Sequence, residues 1–414
     1  MKLALKNRLN KGSTNMNLIN DLKLNYKLLY LAITVILTLT LISCGSKETS
    51  DSQTISDESD SVLQTDTARE PLSFEIGQAM ESKRDRFALL FLSNGNLIAA
   101  GGKEVGMQAQ SGNFNRTVEI FDPVTNQWTF TGEMKEERMS PVLFELPGGN
   151  VMVIGGLSGA RDPLISTEIL DSNTGTFSMG PEMIRSHNEM GAVTLNDGRF
   201  MVIGGSSYDE DAGFQVALSK ETEIFDPESG TWTEAAPMSE RRANHSVLIL
   251  NDGRVIVIGG GKTDGPYLKS IEIYDPNTNT WEFGAEMTKG RVAHTATILS
   301  DGNVLVVGGK GKLTLAEIYD PNTDTWALAG ETNKSRGHHA ALLLADGSVL
   351  VTGGIGYLTE AELFDPNTST WNVVGSLNTG RIRPAVTRLS DGRVLIMAGV
   401  GKDGMLASVE VYQD

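Results

Sequence analysis

Two charged positions recur seven times along this 414-residue chain. The arginines are Arg84, Arg138, Arg185, Arg242, Arg291, Arg336 and Arg381; the glutamates are Glu119, Glu168, Glu223, Glu272, Glu317, Glu362 and Glu410. A guanidinium and a carboxylate in that relation form a short, charge-assisted pair if the fold brings them together. Seven arginines on one ring are also a means of holding an anion. A mark carried by every unit of a repeat belongs to the frame more often than to a site, so seven structural pairs are expected, Arg84 with Glu119 through Arg381 with Glu410. His245, His294 and His339 each follow a repeat arginine by three residues, with His187 and His338 nearby. Three histidines on neighbouring units trace an arc, which does not by itself present converging nitrogens to zinc, and no metal is expected. Asp209-Glu210-Asp211 offers three adjacent carboxylates rather than an encircling set of oxygens, so a solvated loop is expected there rather than a Ca²⁺ site.

The elements that carry these residues follow from a second repeat. Glycine doublets occur at Gly101-Gly102, Gly155-Gly156, Gly204-Gly205, Gly259-Gly260, Gly308-Gly309 and Gly353-Gly354, with a degraded seventh, Ala398-Gly399. A fixed period near 50 means one supersecondary unit copied in tandem. Within each unit the apolar runs are short and rich in Val, Ile, Leu and Tyr, as in Val255 to Ile258, which reads as strand. Asn94-Gly95, Asp197-Gly198, Asp252-Gly253, Asp301-Gly302, Asp346-Gly347 and Asp391-Gly392 join the first two runs of a unit, and Asn/Asp-Gly is a strong hairpin signal. Asp122, Asp226, Asp275, Asp320 and Asp365 precede prolines that end the third run. Each unit therefore reads as four antiparallel strands, A to D. A lone sheet of that size cannot cover both faces, whereas seven packed around an axis can. Trp128, Phe177, Trp232, Trp281, Trp326 and Trp371 mark six D strands and pack between blades. The seventh unit ends on its C strand at Glu410-Val411-Tyr412. Ser73 to Gly77 reads like Thr280 to Gly284, so residues 72–77 are expected to supply the missing strand and close the ring.

The doublet after an apolar strand, followed by Glu-aliphatic-aromatic-Asp-Pro and Thr-Trp, resembles the kelch repeat over residues 72–414. The resemblance implies an all-β, seven-bladed kelch-type β-propeller of the galactose oxidase central-domain-like superfamily. Such propellers include protein-binding modules, a sialic-acid mutarotase and copper radical oxidases. The oxidase chemistry needs a tyrosine crosslinked to a cysteine. Cys44 is the only cysteine of this chain and lies outside the repeats.

Cys44 fits another role. Residues 1–43 carry six Lys/Arg and one acid, and Leu28 to Ile42 is an uncharged run of fifteen, short for a membrane span. Leu41-Ile42-Ser43-Cys44 resembles a bacterial lipobox. The chain thus divides into a lipoprotein-type signal peptide (1–43), a lipidated cysteine with a flexible, acidic, Ser/Thr-rich tether (44–70), and the propeller (71–414). The expected location is the bacterial cell envelope, extracytoplasmic and lipid-anchored. The formal charge of −17 argues against nucleic acid as a partner.

Specificity is expected in what does not repeat. The B–C loops are long in blades one to four and short in blades five and six, raising a wall on one side of one face, and the ligand or partner is expected at this wall and the axis entrance beside it. Its candidate contacts are Phe114, Asn115, Arg116, Arg161, Asp162, Tyr208, Asp209, Glu210, Asp211, Phe214 and Tyr267. No G-x-S-x-G, H-E-x-x-H or phosphate-binding loop occurs. The expected function is a non-enzymatic binding module for a protein or glycan, monomeric and free of cofactors. The alternative is a carbohydrate-active mutarotase- or epimerase-like enzyme, and a structural role in an envelope complex is a third reading.

Overall fold

The computed structural model describes residues 72–104, 114–209, 215–261 and 266–414, without the side chains of Asp209 and Gln215. The signal-peptide, Cys44 and tether assignments lie outside the described residues. Seven four-stranded antiparallel sheets follow one another. Blade 1 comprises Ala88–Phe91, Leu97–Ala100, Thr117–Asp122 and Gln127–Glu133 as strands A to D. Blades 2 to 6 repeat the plan, with A strands at Val142–Glu145, Gly191–Thr194, Ser246–Ile249, Thr295–Ile298 and Ala340–Leu343. Blade 7 takes Ala385–Arg388, Arg393–Met397 and Val409–Gln413 from the end of the chain and its fourth strand, Glu75–Ile76, from the beginning. Glu75 pairs with Val411 and Ile76 with Glu410, which closes the ring. Only two residues of the 72–77 segment form that strand; Leu72 instead bridges Gly375 in blade 6.

The sequence pattern accounts for the layering. The last four residues of each B strand are drawn from Val, Ile, Leu, Met, Ala, Phe and Thr and are wholly buried, because both faces pack on neighbouring blades. The C-strand aromatic packs on the D-strand tryptophan with ring centroids 5.1 to 5.2 Å apart in five blades. The indole N–H groups of Trp281, Trp326 and Trp371 donate to carbonyls of the preceding blade at 2.7 Å. The A strands of neighbouring blades lie against one another and so form the innermost layer. Among the described residues, two small hairpins interrupt the plan, both between strands B and C: Ser206–Asp209 with Gln215–Leu218 in blade 3, and Val400–Gly401 with Gly404–Met405 in blade 7.

Candidate functional site

In six blades the repeat arginine and glutamate touch. Arg84–Glu119, Arg242–Glu272, Arg336–Glu362 and Arg381–Glu410 stand at 2.7 Å, Arg291–Glu317 at 2.6 Å and Arg138–Glu168 at 3.2 Å. All of these side chains are buried. Each guanidinium also donates to the carbonyl of the residue that begins the doublet, as Arg291 does to Gly308 at 2.7 Å. The carboxylate accepts backbone N–H groups from the linker before strand A, Glu81 and Ser82 in the case of Glu119.

The doublet has a further role that its spacing alone did not show: it is the seam between blades. The N–H of its second residue donates to the carbonyl of the next blade's frame residue at 2.7 to 2.9 Å, all the way round, from Gly102 to Arg138 through Gly399 to Arg84. The first residue lies against that same carbonyl. A Cβ on Gly259 would stand 2.7 Å from the Arg291 oxygen, at a φ of +60°.

Blade 3 corrects the expected set. Arg185 does not pair with Glu223; its guanidinium turns outward to Glu234 at 3.4 Å. The frame position is filled by buried His187, whose Nε2 is 3.2 Å from Glu223 and whose Nδ1 is 2.9 Å from the Gly204 carbonyl. The reason is register. A buried methionine precedes the frame residue by four positions at Met80, Met134, Met238 and Met287, and in blade 3 Met183 counts four to His187. The residue equivalent to His245, His294 and His339 is therefore Met190 in blade 3. These histidines pack under the doublet of the preceding blade, with the His294 ring against Gly259 and the His339 ring against Gly308. Burial pushes each imidazole down to about 3, helped by the neighbouring frame arginine. No group of three metal-ligating side chains occurs among the described residues.

The unrepeated chemistry lies two residues beyond the frame position, where the chain turns into strand A. The residues there are Arg86, Ser140, Glu189, Asn244, Ala293, His338 and Arg383, all with φ between 52° and 56°. This left-handed conformation is uncommon for residues with a Cβ. They stand at the inner end of the blades and meet around the axis. Ser140 N–H donates to the Arg86 carbonyl, His338 to Ala293 and Arg383 to His338, at 2.7 to 2.9 Å. Arg86 reaches past blade 2 to Glu189 at 2.7 Å, and Asn244 donates to the same carboxylate at 2.6 Å. Arg383 holds the buried Asp85 through two bonds of 2.6 and 2.7 Å. Burial, with Arg383, Lys310 and Arg86 close by and Asp85 opposing, pushes His338 down to about 4, so it stands neutral near pH 7. The axis mouth is thus a latticed, mixed-charge surface, with exposed Lys310 on its rim.

The axis entrance beside the wall was expected as part of the contact surface, but none of the residues that line it was among the candidates. Its signal was a variable position two residues after each frame residue.

The described wall candidates differ in their settings. Tyr208, on the blade 3 hairpin, donates its hydroxyl to Asp162 of the blade 2 loop, which joins those two loops. That bond raises the tyrosine's pKa. Arg161 sits at the tip of the blade 2 loop with φ +69°. Asn115 is buried and accepts from the Thr117 N–H and hydroxyl at 2.7 Å. Phe114 bridges Lys103. Arg116 pairs with Glu133 on the outer strand at 2.8 Å. Tyr267 lines a cavity of about 780 Å³ on the outer side of blade 4, together with Phe283, Glu240 and Glu286. Asp209 ends a hairpin strand; Glu210, Asp211 and Phe214 lie outside the described residues.

The family described as the KLHDC2/KLHL20/DRC7 Kelch-repeats domain matches residues 86–309 and 191–399. Kelch-like protein 23 of Mus musculus is 28% identical over 182 residues, 43% of this chain and 28% of that protein. Spermatocyte protein spe-26 of Caenorhabditis elegans is 27% identical over 148 residues, 36% of this chain and 25% of the relative. Beta-scruin of Limulus polyphemus is 25% identical over 186 residues, 44% and 19% of the two chains. These matches span less than a third of each relative's length. A solved structure of a fungal alcohol oxidase of the AA5 family, in complex with copper, superposes with a TM-score of 0.66 at 17% identity, covering 83% of this chain and 76% of that one. That likeness shows the fold. The donor set does not fit copper radical chemistry, since no cysteine lies within the propeller.

Proposed function

The chain belongs to the Kelch-repeat family, and from that membership we propose that it is a binding module that engages a protein partner at the axis mouth and the B–C loops around it. Kelch-repeat propellers are typically protein-interaction modules. One observation carries the choice of face. The Arg–Glu frame repeats in six of the seven blades, whereas the position of Arg86, Glu189, Asn244, His338 and Arg383 varies around the ring and gathers at one end of the axis. A mixed-charge surface of arginine, histidine, acid and amide, bordered by the Asp162–Tyr208 loop junction, provides directional groups for a protein surface. Arg86, Glu189 and Arg383 are already held in ion pairs, which limits the side-chain ordering needed on binding.

We further propose that the propeller is held at a bacterial envelope by lipid on Cys44. The apolar run 28–42 and the Leu41-Ile42-Ser43-Cys44 motif support this. Cys44→Ser would then release the protein from the membrane fraction.

The binding reading is tested by affinity capture with the soluble fragment starting at Arg69. A Lys310→Glu/Tyr208→Ala variant alters exposed or half-exposed groups on the proposed face. Asp252→Ala lies on the tight-turn face opposite. A partner captured by the unaltered fragment is expected to bind the first variant at least tenfold more weakly and the second unchanged. The reverse order would refute the choice of face.

A further inference from the structure

We propose that the outer seam between blades 4 and 5 is a second docking site, a groove for an extended, basic peptide segment of a protein partner. Two cavities meet there. One, of about 780 Å³, lies beside Tyr267 and Glu240. The other, of about 400 Å³, lies between Ile273, Tyr319 and Asp324. Phe283 and Gly284 line both, so the two run together along strand D of blade 4, Thr280–Phe283. The groove lies on the outside of the ring, away from the axis, and shares with the binding face proposed above only the blade 4 loop at Tyr267.

The lining decides the charge of the occupant. Five carboxylates border the groove: Glu240, Asp275, Glu282, Glu286 and Asp324. The cations there are Lys269 and Arg254, and Arg254 is already bound to Asp252 at 2.7 Å. Some of the carboxylates are engaged within the protein. Glu240 meets Arg242 and the Ser270 hydroxyl, Asp275 accepts the Asn277 N–H, and Asp324 accepts the Tyr319 hydroxyl and the Ala285 N–H. Glu282 and Glu286 stand exposed. The excess of acid disfavours an anionic ligand and presents two accessible carboxylates to a cation. Phe283 is 56% exposed and Tyr267 40%, and both line the larger cavity with Glu286. A lysine or arginine side chain seated there gains from the aromatic faces as well as from the charge.

The shape places that cation on a chain. Thr280–Phe283 is the last strand of the blade 4 sheet, so its outer edge has no strand beyond it. Its pairing with strand C runs without interruption from Glu272 with Phe283 to Asp275 with Thr280. The D strands of blades 1, 5 and 6 each carry a register shift instead. Such irregularities blunt an edge. The regular edge of blade 4 can accept an added strand, with backbone bonds for affinity and alternate side chains reaching into the cavities. The four residues of this strand extend about 13 Å, room for one short segment.

The test is fluorescence anisotropy of the soluble propeller with a labelled eight-residue peptide alternating lysine and threonine. The comparison probes are the same peptide with glutamate for lysine, and unlabelled cellohexaose as a neutral linear competitor. The lysine peptide is expected to bind, the glutamate peptide not to, and cellohexaose not to displace it. Glu282→Lys/Glu286→Lys is expected to weaken binding at least tenfold. Glu228→Lys/Asp403→Lys makes the same change of charge at exposed acids of blades 3 and 7, and is expected to weaken it less than twofold. Phe283→Thr, which leaves the charge unchanged, is expected to weaken it at least threefold. Lys310→Glu/Tyr208→Ala is expected to leave it unchanged, so that the groove and the axis mouth stand or fall separately. No binding of the lysine peptide, an equal loss in the two charge-reversal variants, no loss in Phe283→Thr, or displacement by cellohexaose would each overturn the proposal.

Discussion

Removing one member of a frame pair strands the other. Arg291 and Glu317 are buried with a 2.6 Å contact, so Arg291→Met is expected to cost about 3–5 kcal/mol, read as a large fall in the denaturation midpoint. Arg116→Met, which breaks an exposed pair, is expected to cost about 0–1 kcal/mol. The buried histidines act in the opposite sense to a paired base. Their folded pKa is depressed to about 3, so from about pH 6.5 downward the unfolded chain binds protons that the folded one refuses, and stability falls as pH falls. Each adds a slope of up to about 1.4 kcal/mol per pH unit in that window. Blade 3 has Met190 at this position, so His245→Met/His294→Met is expected to flatten the acid limb of the melting-temperature profile between about pH 6.5 and pH 4.5. An unchanged limb would contradict the burial argument. The frame residues were legible as residue types because they repeat. His187 was not, because Arg185 lies two positions away and imitates the pattern.

At the scale of elements, two loops depend on glycines that belong to no turn signature. A Cβ on Gly290 would collide with the Tyr267 carbonyl, and one on Gly380 with that of Tyr357, so each glycine lets a B–C loop rest on the next blade's linker. Gly290→Ala is expected to lift the Tyr267 loop and cost about 1–3 kcal/mol, with faster amide exchange at Leu268 as its local sign. Ala398 occupies the degraded doublet with φ 54°, a conformation that strains a residue with a Cβ by roughly 1–2 kcal/mol. Ala398→Gly is expected to raise stability by up to about 1 kcal/mol, since glycine's backbone freedom offsets part of the gain. Strands and hairpin turns could be read from short apolar runs and Asn/Asp-Gly. The left-handed entry into strand A could not, because Arg86, Ser140, Glu189 and their equivalents share no chemistry that marks positive φ. The Arg86–Glu189 bond joins residues 103 apart across an intervening blade, which no local pattern encodes.

At the scale of the molecule, the ring is closed twice, by Glu75–Ile76 on the last blade and by the Gly399 N–H on the Arg84 carbonyl at 2.9 Å. Deleting residues 72–77 would expose the edge at Val411 and remove Leu72 and Phe74 from the blade 6–7 core. A drop in melting temperature with concentration-dependent association is expected, measured by calorimetry and light scattering. This closure was readable in the sequence because one D strand was missing at one end and present at the other. The choice of face was only half readable: loop lengths singled out the B–C side, but the groups that gather at the axis come from the linkers into strand A. The central claim is that the repeated frame is scaffold and that this mouth is where a partner sits. Hydrogen–deuterium exchange of the soluble propeller with and without its captured partner tests it most directly. Protection is expected at residues 85–87, 186–190, 206–209, 310–313, 337–339 and 382–384. Protection confined to the A–B turns at Asn94-Gly95, Asp252-Gly253 and Asp346-Gly347, on the opposite face, would contradict it.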